Sequence, residues 1–224
     1  MSNFRGTFPI MFLLATLGVA RAQIVTYGFG TALSPTTAAT SVTTNLAAST
    51  FAGNLGSPTL GSGTPVFSAG SGGSFFTASS WTGLAPGTNY FEFTLTPSAG
   101  HEFSLISISL GYRVTGTGPT AFAVRSSADA YATSLTNSSI INDSAWHSSG
   151  TLSINLSSLT TATTFRIYGS GASSGSGTFR LDDVSLGGVV ALAAVPEPST
   201  YATIVGAIVF AGVVVRRRSK SQRS

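Results

Sequence analysis

Residues 90–96 read Tyr-Phe-Glu-Phe-Thr-Leu-Thr, and they carry the clearest structural signal in the chain. Large apolar residues recur at every second position from Phe91 to Leu95, with Glu92 and Thr94 between them. Successive side chains on a strand point to opposite faces of a sheet, so this stretch predicts a strand with one buried face. Turn sequences at 85–87 and 97–100 bound it at both ends.

The same alternation extends outward from this stretch over the rest of residues 23–188. Further strands are predicted at 24–29, 51–55, 103–114, 121–125, 152–156, 165–168 and 178–186. The phase of the alternation changes near Ile106, which predicts a β-bulge. About nine short strands at intervals of about 8–12 residues, with no sustained helical period, predict an all-β domain. We expect an antiparallel β-sandwich and favour a jelly roll.

The order of these features resembles the jelly-roll, carbohydrate-binding-like modules of secreted bacterial proteins. The resemblance rests on residues 90–96, on residues 165–168 and on the closing stretch 179–186, which contains Arg180-Leu181-Asp182-Asp183-Val184. An Arg-x-Asp-Asp/Asn-Val strand is common at the end of such modules. The resemblance implies a fold more than a function.

The first 22 residues have the pattern of a secretory signal peptide. Arg5 precedes an apolar run at 8–19, and Ala20 and Ala22 place small residues at the two positions that matter for cleavage. This pattern predicts Gln23 as the mature N-terminus. We therefore expect the secretion machinery to export the domain at 23–188.

The end of the chain contains a short apolar segment between two prolines and an arginine cluster. After a predicted linker at 189–195, Pro196-Glu197-Pro198 precedes a predicted transmembrane helix at 199–215, then Arg216-Arg217-Arg218 and a basic tail at 219–224. The 15 uncharged residues from Tyr201 to Val215 would cover about 22 Å as a helix, short for a hydrocarbon core of about 30 Å. Flanking arginines mark the cytoplasmic side of a span, so residues before it are expected outside the cytoplasm. From the physics alone, a permanent single-pass anchor and a removable signal remain open.

Residues 196–218 resemble the PEP-CTERM sorting signal of bacterial exported proteins, because the Pro-Glu-Pro motif, the short apolar helix and the terminal arginines occur in the family's order. The resemblance implies recognition by a membrane-embedded exosortase and loss of the helix and basic tail. It also implies an inner-membrane-anchored precursor that is delivered to the cell surface or released outside the cell.

The formal charge of +4 is misleading, because seven of the eleven basic residues lie in the two predicted export signals. The rest of the exported part has four arginines, no lysine and seven carboxylates, a net charge of −3. This balance gives no reason to expect a nucleic-acid partner. There is no cysteine, so the domain must be held together by its core rather than by disulfides.

The sequence contains no strong pattern of catalytic residues or of transition-metal ligands. His101 and His147 have no neighbouring cysteine or second ligand, and we expect them to be solvated or capping residues. Glu92 and Glu102 are candidates for a glycosidase pair, but solvated strand faces are the simpler interpretation. We therefore expect a non-enzymatic protein with no confident metal site.

Asp182 and Asp183 lie within an apolar strand, so one of them is expected to point inward and to need a partner. An ion pair with Arg180 or Arg166 and a structural Ca²⁺ ion are both open. No other cofactor is expected.

Five aromatic residues are candidates for a sugar platform, namely Trp81, Tyr90, Tyr112, Tyr131 and Trp146. We take Trp81 and Trp146 as the sugar contacts, although aromatic residues also serve as core anchors. The first functional hypothesis is a non-enzymatic cell-envelope or extracellular-matrix protein. The alternatives are a polysaccharide-binding module, with exopolysaccharide as partner, and a secreted hydrolase.

Overall fold

The computed structural model describes residues 22–31, 33–54, 59–63, 73–81, 88–194 and 208. A short 3-10 helix lies at Ser127–Asp129. The strands are β1 (Ala22–Tyr27), β2 (Gly30–Thr31), β3 (Ser34–Pro35), β4 (Ser41–Val42), β5 (Leu46–Ala48), β6 (Ala52–Gly53), β7 (Thr59–Gly63), β8 (Gly73–Ala78), β9 (Phe91–Pro97), β10 (His101–Val114), β11 (Ala121–Ser126), β12 (Thr136–Ser139), β13 (Trp146–Ser148), β14 (Leu152–Leu159), β15 (Thr163–Ser170) and β16 (Phe179–Leu192).

Two antiparallel sheets account for most of these strands, so the prediction of an all-β sandwich is confirmed. The eight-stranded sheet has the order β13-β10-β16-β1-β4, with β14 paired to β10, β8 paired to β16, and β7 paired to β8. The six-stranded sheet has the order β12-β11-β15-β9-β5, with β6 paired to β9. From β8 onward the chain crosses repeatedly between the two sheets.

Aromatic side chains fill the space between the sheets. Phe91 of β9 lies 5.8 Å from Phe179 of β16, measured between ring centroids, and Phe103 of β10 lies 6.5 Å from Phe165 of β15. Phe91, Phe93 and Leu95 are at most 1% exposed. The alternation in residues 90–96 therefore identifies the buried face correctly, and the side chains between these positions lie on the outer face.

Two irregularities in the pairing of β10 with β16 shape the eight-stranded sheet. The register shifts between Leu105 and Ser107, which confirms the bulge predicted near Ile106. It shifts again between Ser109 and Gly111, opposite the segment from Asp182 to Ser185. Asp183 has a φ of 48° at this second shift.

The last strand continues beyond Gly188, so the prediction that a linker begins at residue 189 is wrong. Val189, Val190 and Leu192 pair with residues at the start of β10, from Ser104 back to His101. The β-branched and apolar residues of this stretch suit a strand, and β10 offers it a ladder partner. Of the predicted linker, Ala193 and Ala194 follow the strand, and Val195 lies outside the described residues.

The two predicted export signals lie almost wholly outside the described residues. Ala22 begins β1, and Gln23 follows it in the same strand. Of the predicted transmembrane helix at 199–215, the structure describes Ile208 alone. Among the described residues, no helix has the length and apolar character needed to cross a membrane.

Candidate functional site

The outer face of the six-stranded sheet carries a cluster of aromatic and charged side chains. Glu92 on β9 is the register partner of Arg166 on β15, so the two side chains lie side by side. Tyr90 directly precedes β9, and Tyr168 lies two residues beyond Arg166 on the same face of β15. The strand period that buries Phe91 and Ile167 therefore brings these four polar or amphipathic side chains together outside the core.

The guanidinium group of Arg166 is held between two tyrosine rings. Its central carbon lies 3.9 Å from the ring centroid of Tyr90 and 4.0 Å from that of Tyr131. Its Nε donates a hydrogen bond of 3.0 Å to Oε2 of Glu92. The rings of Tyr90 and Tyr168 meet edge to face at 5.5 Å. We call this cluster of Tyr90, Glu92, Tyr131, Arg166 and Tyr168 the tyrosine–arginine face.

The cluster remains charged and partly accessible to solvent. Burial alone would lower the pKa of the Arg166 guanidinium, but hydrogen bonds with Tyr168 and Glu92 outweigh it, so the pKa is raised. The side chains of Arg166 and Glu92 are 24% and 32% exposed, whereas Tyr168 is only 6% exposed and supports Tyr90 from within the structure rather than offering a free ring. Planar guanidinium and aromatic groups stacked in this way form a rigid surface that loses little entropy on binding a ligand.

A strained turn after β11 places Tyr131 against Arg166. Ala130 and Tyr131 have φ values of 56° and 63°, a conformation that is uncommon outside glycine. The turn is held by a hydrogen bond of 2.8 Å from the Tyr131 N–H to the Ser126 carbonyl and by one of 2.7 Å from Nη1 of Arg125 to the Tyr131 carbonyl. The Asp129 carboxylate also accepts a hydrogen bond of 2.9 Å from the Thr133 N–H. Strain held by so many bonds is typical of functional sites.

A depression of about 360 Å³ adjoins the tyrosine–arginine face on the same side of the sheet. Two register pairs connect them, since Arg125 lies opposite Arg166 and Ala123 lies opposite Tyr168. Hydroxyl, amide and guanidinium groups dominate the polar part of the lining, which we call the serine-lined depression. Its residues are Ala121, Phe122, Ala123, Arg125, Ser134, Asn137, Ser138, Ser139 and Ser170.

The prediction that Trp81 and Trp146 are sugar contacts is wrong, because both are buried. Trp81 is 1% exposed, and its Nε1 donates a hydrogen bond of 2.9 Å to the Ala78 carbonyl. The Trp81 ring packs at 4.9 Å from Phe91, inside the sandwich. Trp146 is 9% exposed and packs edge to face on Phe75 at 5.5 Å. Trp81 thus combines ring packing with an internal partner for its N–H, as core tryptophans do.

Of the five aromatic candidates, the structure brings together Tyr90 and Tyr131. Tyr112 is 3% exposed, and its hydroxyl accepts a hydrogen bond of 3.2 Å from the Ile141 N–H. Sequence reasoning missed Arg166 and Tyr168 as parts of this site. Both residues alternate with the buried Phe165 and Ile167, which predicts that they lie on the outer face of a strand. The alternation does not show that this face is shared with Tyr90.

The candidate catalytic residues are not assembled into a catalytic site. Glu102 accepts a hydrogen bond of 3.2 Å from the Ser158 hydroxyl on the eight-stranded sheet, whereas Glu92 pairs with Arg166 on the other sheet. Nδ1 of His101 lies 3.2 Å from the Ala99 carbonyl, and Nε2 of His147 lies 2.8 Å from Asp143. Within the described residues, no three His, Cys, Asp or Glu side chains are grouped so as to hold a metal ion.

Asp182 is fully buried, with an exposed fraction of 0%. One carboxylate oxygen accepts a hydrogen bond of 2.8 Å from the Asp183 N–H, and the other has no hydrogen-bond partner among the described residues. Burial and the neighbouring charge of Asp183 raise the pKa of Asp182 to about 7. Neither of the ion pairs found among the described residues joins Asp182 to Arg180 or Arg166. The second oxygen is therefore available to a proton or a cation.

The neighbouring aspartate, Asp183, lies at a separate shallow depression. Asp183 lines a depression of about 270 Å³ whose other lining residues are Thr26, Gly28, Gly30, Thr31 and Thr40. Asp182 does not line this depression, so the structure does not bring the two carboxylates together there, and the calcium alternative stays a prediction.

No protein-family model matches the chain, and no curated protein matches its sequence. Among solved structures, the chain is similar to a family 11 carbohydrate-binding module from Clostridium thermocellum, with 13% identity over 79% of this chain and 100% of that one and a TM-score of 0.35. It is also similar to the N-terminal modules of endo-1,4-β-D-xylanase 10B from the same organism, with 12% identity over 66% of this chain and a TM-score of 0.38, and it spans 27% of that chain. A Stig cyclase from Fischerella has 12% identity over 77% of this chain and 100% of its own, with a TM-score of 0.41.

Proposed function

We propose that the sandwich domain is a non-catalytic module that binds polysaccharide through the tyrosine–arginine face. The observation that carries this proposal is the stack of Tyr90, Arg166 and Tyr131 on the outer face of the six-stranded sheet. Sugar rings present C–H groups that pack on aromatic faces and hydroxyl groups that hydrogen-bond to polar side chains. The tyrosine–arginine face supplies the first kind of surface, and the serine-lined depression beside it supplies the second.

Binding is favoured over hydrolysis by the state of the carboxylates. Glycoside cleavage requires two carboxylates facing each other across about 5–10 Å. Glu92 forms an ion pair with Arg166, and none of the described residues that line the serine-lined depression is an Asp or a Glu. The charge of Glu92 serves to fix the guanidinium group rather than to transfer a proton.

The proposal includes export and a place outside the cytoplasm. The signal pattern at 1–22 and the PEP-CTERM-like signal at 196–218 support delivery by the secretion machinery, then recognition by an exosortase-type enzyme. The product belongs to the cell surface or the extracellular matrix, where exopolysaccharide is the natural partner. We infer a jelly roll from the strand order, because β8-β16-β10-β14 and β9-β15-β11-β12 are neighbours in the two sheets and the chain crosses repeatedly between them.

Retention on insoluble polysaccharides tests the binding function. The full-length protein, in a polyoxyethylene detergent that contains no sugar, is incubated with cellulose, chitin, xylan and mixed-linkage β-glucan and then sedimented. We expect retention by at least one polymer and a loss of about tenfold or more in Tyr90→Ala, since stacking contacts in a binding site contribute strongly. Leu33→Ala is the matched control, because Leu33 is 99% exposed and lies outside both the tyrosine–arginine face and the serine-lined depression. Equal retention of Tyr90→Ala and Leu33→Ala would contradict the proposal.

Intact-mass measurement tests the export part independently. Protein recovered from the membrane and extracellular fractions of the native host is expected to begin near Gln23 and to end near Pro196–Ser199. A membrane-bound form that retains Arg216–Arg218 would instead establish a permanent anchor. That result would leave the binding function untouched.

A further inference from the structure

The outer face of the eight-stranded sheet carries two arginines side by side. Arg113 on β10 and Arg180 on β16 are register partners, so their side chains leave the same face of adjacent strands. Trp146 on β13 lies opposite Arg113, and Thr77 on β8 lies opposite Arg180. We call Arg113 and Arg180 the arginine row, and Thr77 and the buried Trp146 flank it on the two neighbouring strands.

Aromatic rings and a backbone carbonyl hold the two guanidinium groups in place. The central carbon of the Arg180 guanidinium lies 5.2 Å from the ring centroid of Phe75, which in turn packs on Trp146. Nε of Arg113 donates a hydrogen bond of 2.7 Å to the Ser144 carbonyl. Both arginines are half-buried, so part of each side chain remains in contact with solvent.

The positive charge of the arginine row has no acidic partner among the described residues, where the ion pairs are Arg166 with Glu92 and His147 with Asp143. Nε of Arg180 is buried without a hydrogen-bond partner in that part of the chain. Burial and the charge of Arg113 both lower the pKa of the Arg180 guanidinium. Like charges directly opposite each other destabilise a sheet, so this pair is costly unless an anion joins it.

The other two arginines of the domain provide an internal comparison. Arg125 and Arg166 are also register partners, but on the six-stranded sheet. There Glu92 accepts a hydrogen bond from Arg166, and the Tyr131 and Ala132 carbonyls accept hydrogen bonds from Arg125. Within the described part of the chain, Nε of Arg125 is buried without a hydrogen-bond partner, as is that of Arg180. The difference among the described residues is therefore that a carboxylate pairs with one member of the first arginine pair and with neither member of the second.

We infer that the arginine row is a second binding site, which takes an oxyanion of an acidic polysaccharide, either a uronate carboxylate or a sulfate ester. Guanidinium groups match these planar or tetrahedral oxyanions with paired hydrogen bonds. The domain has four arginines, no lysine and six carboxylates between residues 23 and 188, so it lacks the extended basic surface that nucleic acid requires. An extracellular polysaccharide whose anionic groups are widely spaced can be bound by a single pair of cations. The choice of a polysaccharide rests on the proposed function, whereas the anion site rests on the arginine row.

Binding to immobilised polygalacturonate, dextran sulfate and the neutral polymer retained in the sedimentation assay tests this inference. The full-length protein is used in the same detergent, at low and at physiological salt. We expect acidic polymers to bind, with Arg113→Gln and Arg180→Gln each weakening that binding about tenfold or more, since charge-assisted hydrogen bonds are lost. Arg166→Gln removes the same charge from the other sheet and is expected to weaken binding of the neutral polymer while acidic binding changes less than about twofold. Comparing the binding of polygalacturonate with that of dextran sulfate shows whether the site prefers a carboxylate or a sulfate ester.

Three results would overturn the inference. The first is equal loss of acidic binding in Arg113→Gln, Arg180→Gln and Arg166→Gln, which would indicate attraction by overall charge. The second is no acidic binding by the wild-type protein, and retention of the neutral polymer would then show that the proposed function stands alone. The third is unchanged acidic binding in both Arg113→Gln and Arg180→Gln, which would place the anion site elsewhere.

Discussion

Replacing Asp182 by asparagine should remove a specific pH dependence from the stability of the domain. The carboxyl group is fully buried, and its pKa in the folded protein is raised to about 7 from an ordinary value of 3.8. Between these two pH values the folded protein holds a proton that the unfolded chain releases. Stability from this group is therefore fully present below pH 3.8, falls as the pH rises, and is lost above about pH 7.

The size of the effect follows from the two pKa values. The full difference corresponds to about 4 kcal/mol, and the part that falls between pH 5 and pH 8 is about 2.5 kcal/mol. For a domain of this size the latter is a change of about 5–10 °C in Tm. Asp182→Asn keeps the acceptor for the Asp183 N–H but cannot ionise. The free energy of unfolding of this variant should therefore change between pH 5 and pH 8 by about 2.5 kcal/mol less than that of the wild type.

Urea unfolding of the full-length protein, followed by tryptophan fluorescence in the presence of EGTA, measures this difference. Trp81 and Trp146 are the two tryptophans of the chain, and both belong to the sandwich, so the signal reports on its unfolding. Asp129→Asn is the matched control. Hydrogen bonds from Thr133 lower the pKa of Asp129, so that group titrates below the tested pH range. Parallel pH profiles for wild type and Asp182→Asn would refute the reasoning and would mean that Asp182 is already ionised and stabilised at pH 5.

The same two proteins decide the calcium alternative. If a Ca²⁺ ion binds at Asp182 and Asp183, calcium in place of EGTA should raise the Tm of the wild type by mass action, most strongly at pH 8, where the carboxyl group is ionised. Asp182→Asn should lose that increase, whereas Asp129→Asn should keep it. No change with calcium in the wild type would leave the proton as the partner of the buried oxygen.

Three further substitutions test other parts of the structure. Trp81→Ala should lower the free energy of unfolding by about 3–5 kcal/mol, measured by far-UV circular dichroism in urea, because it empties a core position; a change below about 1 kcal/mol would contradict the burial of Trp81. Glu92→Gln should cost less than about 1 kcal/mol, since its ion pair is partly exposed, but it should weaken polysaccharide retention by releasing Arg166; unchanged retention would remove Glu92 from the site. Gly188→Ala should lower Tm clearly, because an added Cβ would lie 2.1 Å from the Ser104 carbonyl oxygen, whereas the control Gly116→Ala would add a Cβ with no atom within 4 Å. Equal Tm values for the two variants would mean that the last strand does not pair with β10 as described.

The sandwich was predictable because a two-residue period directly reports which side chains a sheet buries. It gave the inner face of β9 and the bulge near Ile106 without any long-range information. The burial of Trp81 was not predictable, since an aromatic side chain suits both a core and a sugar platform. The end of the domain was misplaced because Val189–Leu192 is strand sequence only when a partner is present, and that partner is the start of β10.

The candidate site escaped sequence reasoning for a different reason. Tyr90, Tyr131 and Arg166 come from separate segments, and their meeting depends on β9, β15 and β11 being neighbours in one sheet. It also depends on a left-handed conformation at Ala130 and Tyr131. Glycine is the residue that usually indicates this conformation in a sequence, and neither position is a glycine. Strand pairing and turn conformation are tertiary properties, so the alternation could identify outer-face residues without showing which of them touch.

The four arginines of the domain connect the two proposals. They form two cross-strand pairs, one on the outer face of each sheet, although composition alone shows only four isolated charges in an acidic domain. A purely structural role would favour the same solution for both pairs, namely compensation by a neighbouring carboxylate. Glu92 supplies it on the six-stranded sheet, and no described carboxylate supplies it on the eight-stranded sheet. Glu92 thus neutralises one of the two charges of the first pair, whereas the second pair retains both charges, and this difference is why the second pair is the one proposed to attract an acidic sugar.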